Sequence, residues 1–290
     1  MVRLYKEALK EALRTDFELQ VLDGSCQFAE GPVWSPEGYY LFSDIPSNVI
    51  YKIVPGQPKS VYLEKSGCAR PEDAEISWMM GSNGLALDPQ QHLLICQHGN
   101  HRVAKYAGGA VEPLITEYEG RLLNSPNDII ADAKGRIFFS DPPYGLKDQQ
   151  ANPEKYQQKA GLYCWQEGVL TRFWDQLQFP NGVCLSPDQQ FLYAGTSKAF
   201  EAGVLEFDAA TLRLRRVVCR ETGDGLKCDR HGNLYISNKE GVLVVNREGE
   251  RLGVLSLPSE PANLCWGGKD GNDLFITARK NIFHIRDLQK

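Results

Sequence analysis

No stretch of this 290-residue chain is apolar for long enough to cross a bilayer, and the N-terminus carries no apolar, leader-like run. A cytoplasmic protein is expected. Positive charge gathers nowhere: 32 Lys and Arg stand against 37 Asp and Glu, for a net charge of −5. The densest basic stretch, Leu212 to Arg220, interleaves Arg213 and Arg215 with leucine, the pattern of a strand's wet face. Neither nucleic acid nor a membrane is an expected partner. The eight cysteines form no Cys-x-x-Cys pair, and several sit in apolar runs such as Gly182 to Ser186, so they read as reduced, buried thiols. There is no His/Cys set with zinc-finger spacing, no Gly-x-Ser-x-Gly elbow, no Gly-x-Gly-x-x-Gly and no P-loop. Those absences argue against serine-hydrolase, dinucleotide and nucleoside-triphosphate chemistry.

What is present is a repeat. A residue with a side-chain oxygen precedes a short apolar strand, then a turn rich in Asp, Pro, Gly and Gln, then a second apolar strand. The six copies run over Ala29 to Asp44, Ser82 to Cys96, Pro126 to Asp141, Pro180 to Ala194, Gly223 to Ser237 and, more weakly, Ala262 to Thr277. Asp-Pro, Ser-Pro, Lys-Gly and His-Gly are turn chemistry, so each copy reads as a hairpin. Further strand-like pieces lie between copies, at Val49 to Val54, Arg102 to Tyr106, Gly161 to Trp165, Gly203 to Phe207 and Gly241 to Asn246. About four strands per unit, at a spacing of roughly 40 to 55 residues, predict an all-β, six-bladed β-propeller. A β-sandwich of many hairpins would leave six copies of one motif unexplained. The apolar residues Leu4, Ala8, Leu9, Ala12 and Leu13 share one helical face. Residues 1–16 are therefore read as a short N-terminal helical extension, and 17–290 as one propeller domain. Two polar insertions, Cys68 to Met80 and Lys147 to Lys159, are expected to rim the channel.

In a propeller the innermost strand of each blade lines the axis. The residues that open the six copies are Glu30, Asn83, Asn127, Asn181, Asp224 and Asn263. All six offer oxygen, and two are carboxylates, a set suited to one hard divalent cation. Asn-Gly and Asp-Gly are also common turn pairs, so capping of the backbone is the competing reading at any single copy.

These openings carry a resemblance. Ala29-Glu-Gly-Pro-Val-Trp34, Leu123-Asn-Ser-Pro-Asn-Asp128, Phe139-Ser-Asp-Pro-Pro-Tyr-Gly-Leu146, Pro180-Asn-Gly182 and Gly223-Asp-Gly-Leu226 resemble, in order, motifs of the gluconolactonase, regucalcin and luciferin-regenerating-enzyme superfamily. Asp-Pro-Pro-Tyr-Gly-Leu with Cys96-Gln-His-Gly99 looks like its bacterial gluconolactonase branch, although Gln97 stands where that branch usually has Glu. The resemblance implies metal ligands at Glu30, Asn127, Asn181 and Asp224, with Asn127 also able to touch substrate. It implies one divalent ion, Ca²⁺ first, with Mg²⁺, Mn²⁺, Zn²⁺ or Fe²⁺ as alternatives. It implies hydrolysis of a sugar lactone to the aldonic acid; the sequence leaves monomer or homodimer open. Asp224 is the candidate general base and His98 and Tyr144 are candidate substrate contacts. Packing is the competing role for both. Asp44 and Asp141 read as acceptors for backbone groups, and nothing selects among Arg70, Arg102 and Arg279. Two other readings stay open: hydrolysis of other lactones or organophosphate esters on the same scaffold, to which Trp78, Met79 and Met80 would give an apolar mouth, and a metal-binding propeller without turnover.

Overall fold

The computed structural model describes residues 2–72, 76–150, 152–198 and 201–290. The described chain is nearly all β. Six antiparallel sheets follow one another around an axis; in four of them the strands run in chain order from the centre outward, and in the last two an N-terminal strand is added at the outer edge. Blade 1 comprises Ala29–Ser35, Tyr39–Asp44, Val49–Ile53 and Ser60–Glu64. Blade 2 runs from Ser82–Leu87 out to Ala110–Ile115, blade 3 from Ile129–Ala131 to Val169–Trp174, and blade 4 from Pro180–Leu185 to Leu214–Cys219. Blade 5 starts at Leu226–Cys228 and blade 6 at Asn263–Gly267. The innermost strands touch in sequence around the ring, and that of blade 6 packs on that of blade 1. The expected six-bladed propeller is therefore the observed fold.

The ring is closed by chain from the other terminus. Gln20–Asp23 pairs antiparallel with Asn281–Ile285 and supplies the outer strand of blade 6. Tyr40 of blade 1 stacks on Phe275 of blade 6, with ring centroids 4.0 Å apart. Because one sheet contains both ends of the ring, opening it requires breaking strand pairing as well as a packed seam.

The N-terminal extension differs from its expected form. The helix is one turn, Leu9–Ala12, and Leu13 is already extended at φ −128°, ψ 155°. Val2–Leu4 is a fifth strand of blade 5, antiparallel to Arg251–Leu255. The apolar spacing that suggests a longer helix serves packing instead: Leu9, Ala12 and Leu13 are buried against blades 5 and 6. Gly253 permits this approach, since a Cβ there would lie 2.6 Å from Leu9 Cδ2 and 2.7 Å from the Arg3 carbonyl oxygen.

Each blade-to-blade seam is apolar, for example Phe138, Leu162, Val183, Leu192 and Leu205 between blades 3 and 4. Buried aspartates stitch the loops, as the sequence suggests. Asp44 accepts from the N–H groups of Gln27 and Phe28, and Asp141 from those of Asn124 and Ser125, each of the latter pair at 2.8 Å. The eight cysteines are free thiols. Among the described residues no helix is long and apolar enough to cross a membrane.

Candidate active site

Glu30, Asn83 and Asn181 do not lie in turns. Each sits at the start of an innermost strand, where the register with the next strand slips: between Glu30 and Val33, Ser82 and Leu85, and Pro180 and Val183. Such a bulge re-aims the side chain beside it. The glycine after each site residue has a packing cause. A Cβ on Gly84 would lie 2.4 Å from the Asn127 carbonyl oxygen, and one on Gly182 would lie 2.4 Å from the Leu226 nitrogen. Gly84 N–H donates to Asn127 O at 2.7 Å and Gly182 N–H to Asp224 O at 2.9 Å, so the opening residues of blades 2 and 4 are each bonded, through the glycine that follows, to the opening residue of the next blade. The recurring Asn-Gly pairs are thus close-approach points of neighbouring blades rather than turns.

Together these residues form the floor of a cavity of about 950 Å³ at one end of the axis. Glu30, Asn83, Asn127, Asn181 and Asp224 line it, with His98 and Tyr144 on its wall. Asn263 does not line it; its Oδ1 accepts from Leu264 N–H at 2.8 Å. Both polar insertions reach the mouth, through Ser77, Trp78 and Met79 from one and Asp148 and Gln149 from the other. Parts of each insertion, residues 73–75 and 151, lie outside the described residues. Of the three arginines left open, Arg279 is at the mouth, 2.8 Å from Glu260. Arg102 is held by Gln97 at 2.6 Å. Gln97 also donates to Ser66 O at 2.7 Å, so it is a structural bridge outside the cavity.

The electrostatics of the floor are those of a site short of positive charge. Burial and then the charge of Asp224 hold the Glu30 carboxyl well above the usual range. Asp224 is raised to about 6, chiefly by burial, against the lowering effect of its bond from Asn181. Asn181 Nδ2 donates to Asp224 Oδ1 at 2.7 Å, which leaves Asn181 Oδ1 buried with no partner; Asn83 Oδ1 is likewise orphaned. Unpaired buried acceptors beside two facing carboxylates fit a hard cation, which would ionise both acids and take the free amide oxygen. Among the described residues no three His, Cys, Asp or Glu side chains converge, so a cation here would rest on amide as well as carboxylate oxygen.

His98 is fully buried and its state is legible. Nδ1 lies 2.9 Å from the Met79 carbonyl oxygen and must donate to it; Nε2, 3.3 Å from Asn83 Nδ2, then accepts. Burial lowers its pKa to about 4, so the ring is neutral. Tyr144 hydroxyl bonds Ser197 Oγ, and its ring packs on Phe179 at 5.7 Å. Asp128, next to Asn127, accepts from Val183 N–H at 2.9 Å and pairs with Lys227 Nζ at 3.1 Å. The one signal for it is a lysine set between Leu226 and Cys228 on an innermost strand.

Residues 28–280 match the family model described as the SMP-30/Gluconolactonase/LRE-like region. The chain belongs to this family. It is similar to a gluconolactonase of Zymomonas mobilis, at 30% identity over 97% of this chain and 85% of that protein. A pentonolactonase of Haloferax volcanii is 25% identical over 89% of this chain and 84% of its own length. Among solved structures, a gluconolactonase of Xanthomonas campestris superposes with a TM-score of 0.86 at 28% identity, covering 100% of this chain and 94% of that one.

Proposed function

We propose that this member of the family is a lactonase that opens sugar lactones to aldonic acids with the help of one divalent cation. Family membership and similarity to a gluconolactonase and a pentonolactonase support lactone hydrolysis. The observation that carries the reading is the convergence of Glu30, Asn127, Asn181 and Asp224 on the floor of one cavity, with Asn181 Oδ1 unpaired. These four residues would hold the cation, with Ca²⁺ the first expectation for an all-oxygen set. When bound, it supplies Lewis-acid polarisation of the lactone carbonyl and stabilises the oxyanion.

The chain's own groups do the rest. Asp224 Oδ1 accepts from Asn181 Nδ2, and Oδ2 is the oxygen that would take a proton from the attacking water. Water adds to the carbonyl carbon, the ring C–O bond breaks, and the ring oxygen leaves as a hydroxyl carrying a proton. Asn83, held by neutral His98, presents Oδ1 as an acceptor for a sugar hydroxyl. Tyr144 and Ser197 offer further hydroxyls on the wall. The charged mouth residues Lys198, Glu221, Glu260 and Arg279 suit a polyhydroxylated substrate better than an aryl phosphate.

The test is an assay of metal-stripped protein on glucono-1,5-lactone and xylonolactone, with cations added back singly and Asp224→Asn in parallel, read above spontaneous hydrolysis. Turnover that returns with an ion and is absent from Asp224→Asn supports the reading. Folded, cation-loaded protein with no turnover on either lactone removes it.

A further inference from the structure

The cavity is larger than a monosaccharide lactone needs. Its roughly 950 Å³ lies at the upper end of the ~300–1,000 Å³ typical of sites that enclose drug-sized ligands. A six-carbon lactone has about 12 non-hydrogen atoms and, placed on the floor, leaves the outer part unfilled. That outer part has a wall of a particular kind. Trp78 is 65% exposed, the highest exposure of any tryptophan among the described residues' exposed large apolar side chains, and it lines the same cavity.

Its exposure is built rather than incidental. The turn that carries it is pinned on both sides: Ser77 N–H donates to Gly145 O at 2.9 Å, Ser77 Oγ to Tyr144 O at 3.0 Å, and Met79 N–H to Ser77 Oγ at 3.1 Å. Met79 O in turn receives His98 Nδ1–H, so the wall histidine anchors the residue next to the rim's tryptophan. Phe28 meets the indole edge-on at 6.5 Å and is itself covered by the Arg279 guanidinium at 4.7 Å. The indole stays 65% exposed despite that contact, and the cavity it lines also carries charged side chains, among them Glu260 and Arg279. An aromatic plane flanked by hydrogen-bonding groups is how proteins hold a pyranose ring, whose C–H face stacks while its hydroxyls bond outward. A wholly apolar tunnel would suit an acyl chain instead.

We infer that Trp78 forms a second, outer sugar subsite, and that the preferred substrates are lactones carrying a further glycosyl unit, such as disaccharide lactones. The inner ring meets Asp224 and its neighbours, and the outer ring rests on Trp78. The inference deepens the lactonase reading and rests on it for turnover, but the subsite itself is a statement about binding.

The experiment therefore has two arms. In the first, kcat and KM are measured for glucono-1,5-lactone and cellobiono-1,5-lactone with wild type, Trp78→Ala and Trp78→Phe. Wild type is expected to favour the disaccharide lactone, and Trp78→Ala to lose at least tenfold more kcat/KM on it than on the monosaccharide lactone, chiefly through KM. Trp78→Phe is expected to recover most of that difference. In the second arm, calorimetric binding of the stable aldonates cellobionate and gluconate is compared in the same proteins. Tighter cellobionate binding that Trp78→Ala abolishes establishes the subsite even if neither lactone turns over, in which case the lactonase reading falls and the subsite stands. Equal losses on both sugars, no loss on either, or a Trp78-dependent preference for an aryl lactone such as dihydrocoumarin overturns the inference.

Discussion

Asp128 and Lys227 form an ion pair, 3.1 Å apart, that joins blade 3 to blade 5 past the intervening blade 4. Their side chains are 3% and 15% exposed. Blade 4 is tied to the same carboxylate by Val183 N–H. Three consecutive blades thus meet at one oxygen beside the site floor.

Removing one partner of such a pair leaves a buried charge uncompensated. Lys227→Met is therefore expected to cost about 3–5 kcal/mol, within the range for broken buried pairs. Asp128→Asn/Lys227→Met should recover a large part of this loss, because neither charge remains. Denaturation of the two single variants and the double variant checks it. A Lys227→Met protein as stable as wild type would mean that solvent reaches Asp128 freely.

The second prediction concerns His98 and pH. Burial holds its folded pKa at about 4, below the ordinary histidine value of 6.5, so the folded state disfavours the protonated ring. Its stabilising contribution is complete above about pH 6.5 and is lost as pH falls toward 4. The most it can amount to is ~3 kcal/mol. His98→Asn, which keeps a donor for Met79 O but does not titrate, should show a shallower fall in melting temperature between pH 6.5 and 4 than wild type. Equal slopes would shift the acid sensitivity to other groups.

The third prediction tests why Asn181 is followed by glycine. Gly182→Ala would place a Cβ 2.4 Å from Leu226 N and 2.8 Å from Asp224 O. The two innermost strands must then separate, which strains the bond from Gly182 N–H to Asp224 O and the link from Asn181 to Asp224. A loss of roughly 1–3 kcal/mol is expected from overpacking. Activity should fall further than that stability loss explains, because both linked residues are in the site. Melting temperature and kcat on one sample separate the two effects.

Much of this was legible in the sequence because the blade is a local object. The hairpins of copies one to five announce themselves by turn residues and alternation, and a residue at one register of each innermost strand must face the axis. Ring closure was not legible. Gln20–Asp23 is four residues without a distinct pattern, and its partner Asn281–Ile285 is at the other end of the chain. The N-terminal residues misled for a related reason: apolar spacing reports that a face is buried, not that the backbone is helical. Asp128 and Lys227 are 99 positions apart and pair only because the ring brings blades 3 and 5 together. The state of His98 also lay beyond the sequence, since it follows from a carbonyl supplied by the insertion loop.

The last prediction separates cation binding from folding. Without a cation, the buried Glu30 and the partly buried Asp224 each resist ionisation, and the repulsion between them is a cost to the folded state. Asp224→Asn removes one of the two charges, so the chelated variant should melt no lower than chelated wild type. Wild type should gain stability as a divalent cation is added, by the mass-action relation of about 2.7 kcal/mol at a hundredfold excess over Kd. Asp224→Asn should gain far less, since it offers one carboxylate in place of two. Melting curves with chelator and across a Ca²⁺, Mg²⁺, Mn²⁺ and Zn²⁺ series read this without any assay of turnover. A chelated variant that melts well below chelated wild type would show that Asp224 stabilises the fold in its own right, through the bond from Asn181, and that the two acids already share a proton comfortably. Equal cation-induced gains in both proteins would move the ion away from Asp224 altogether.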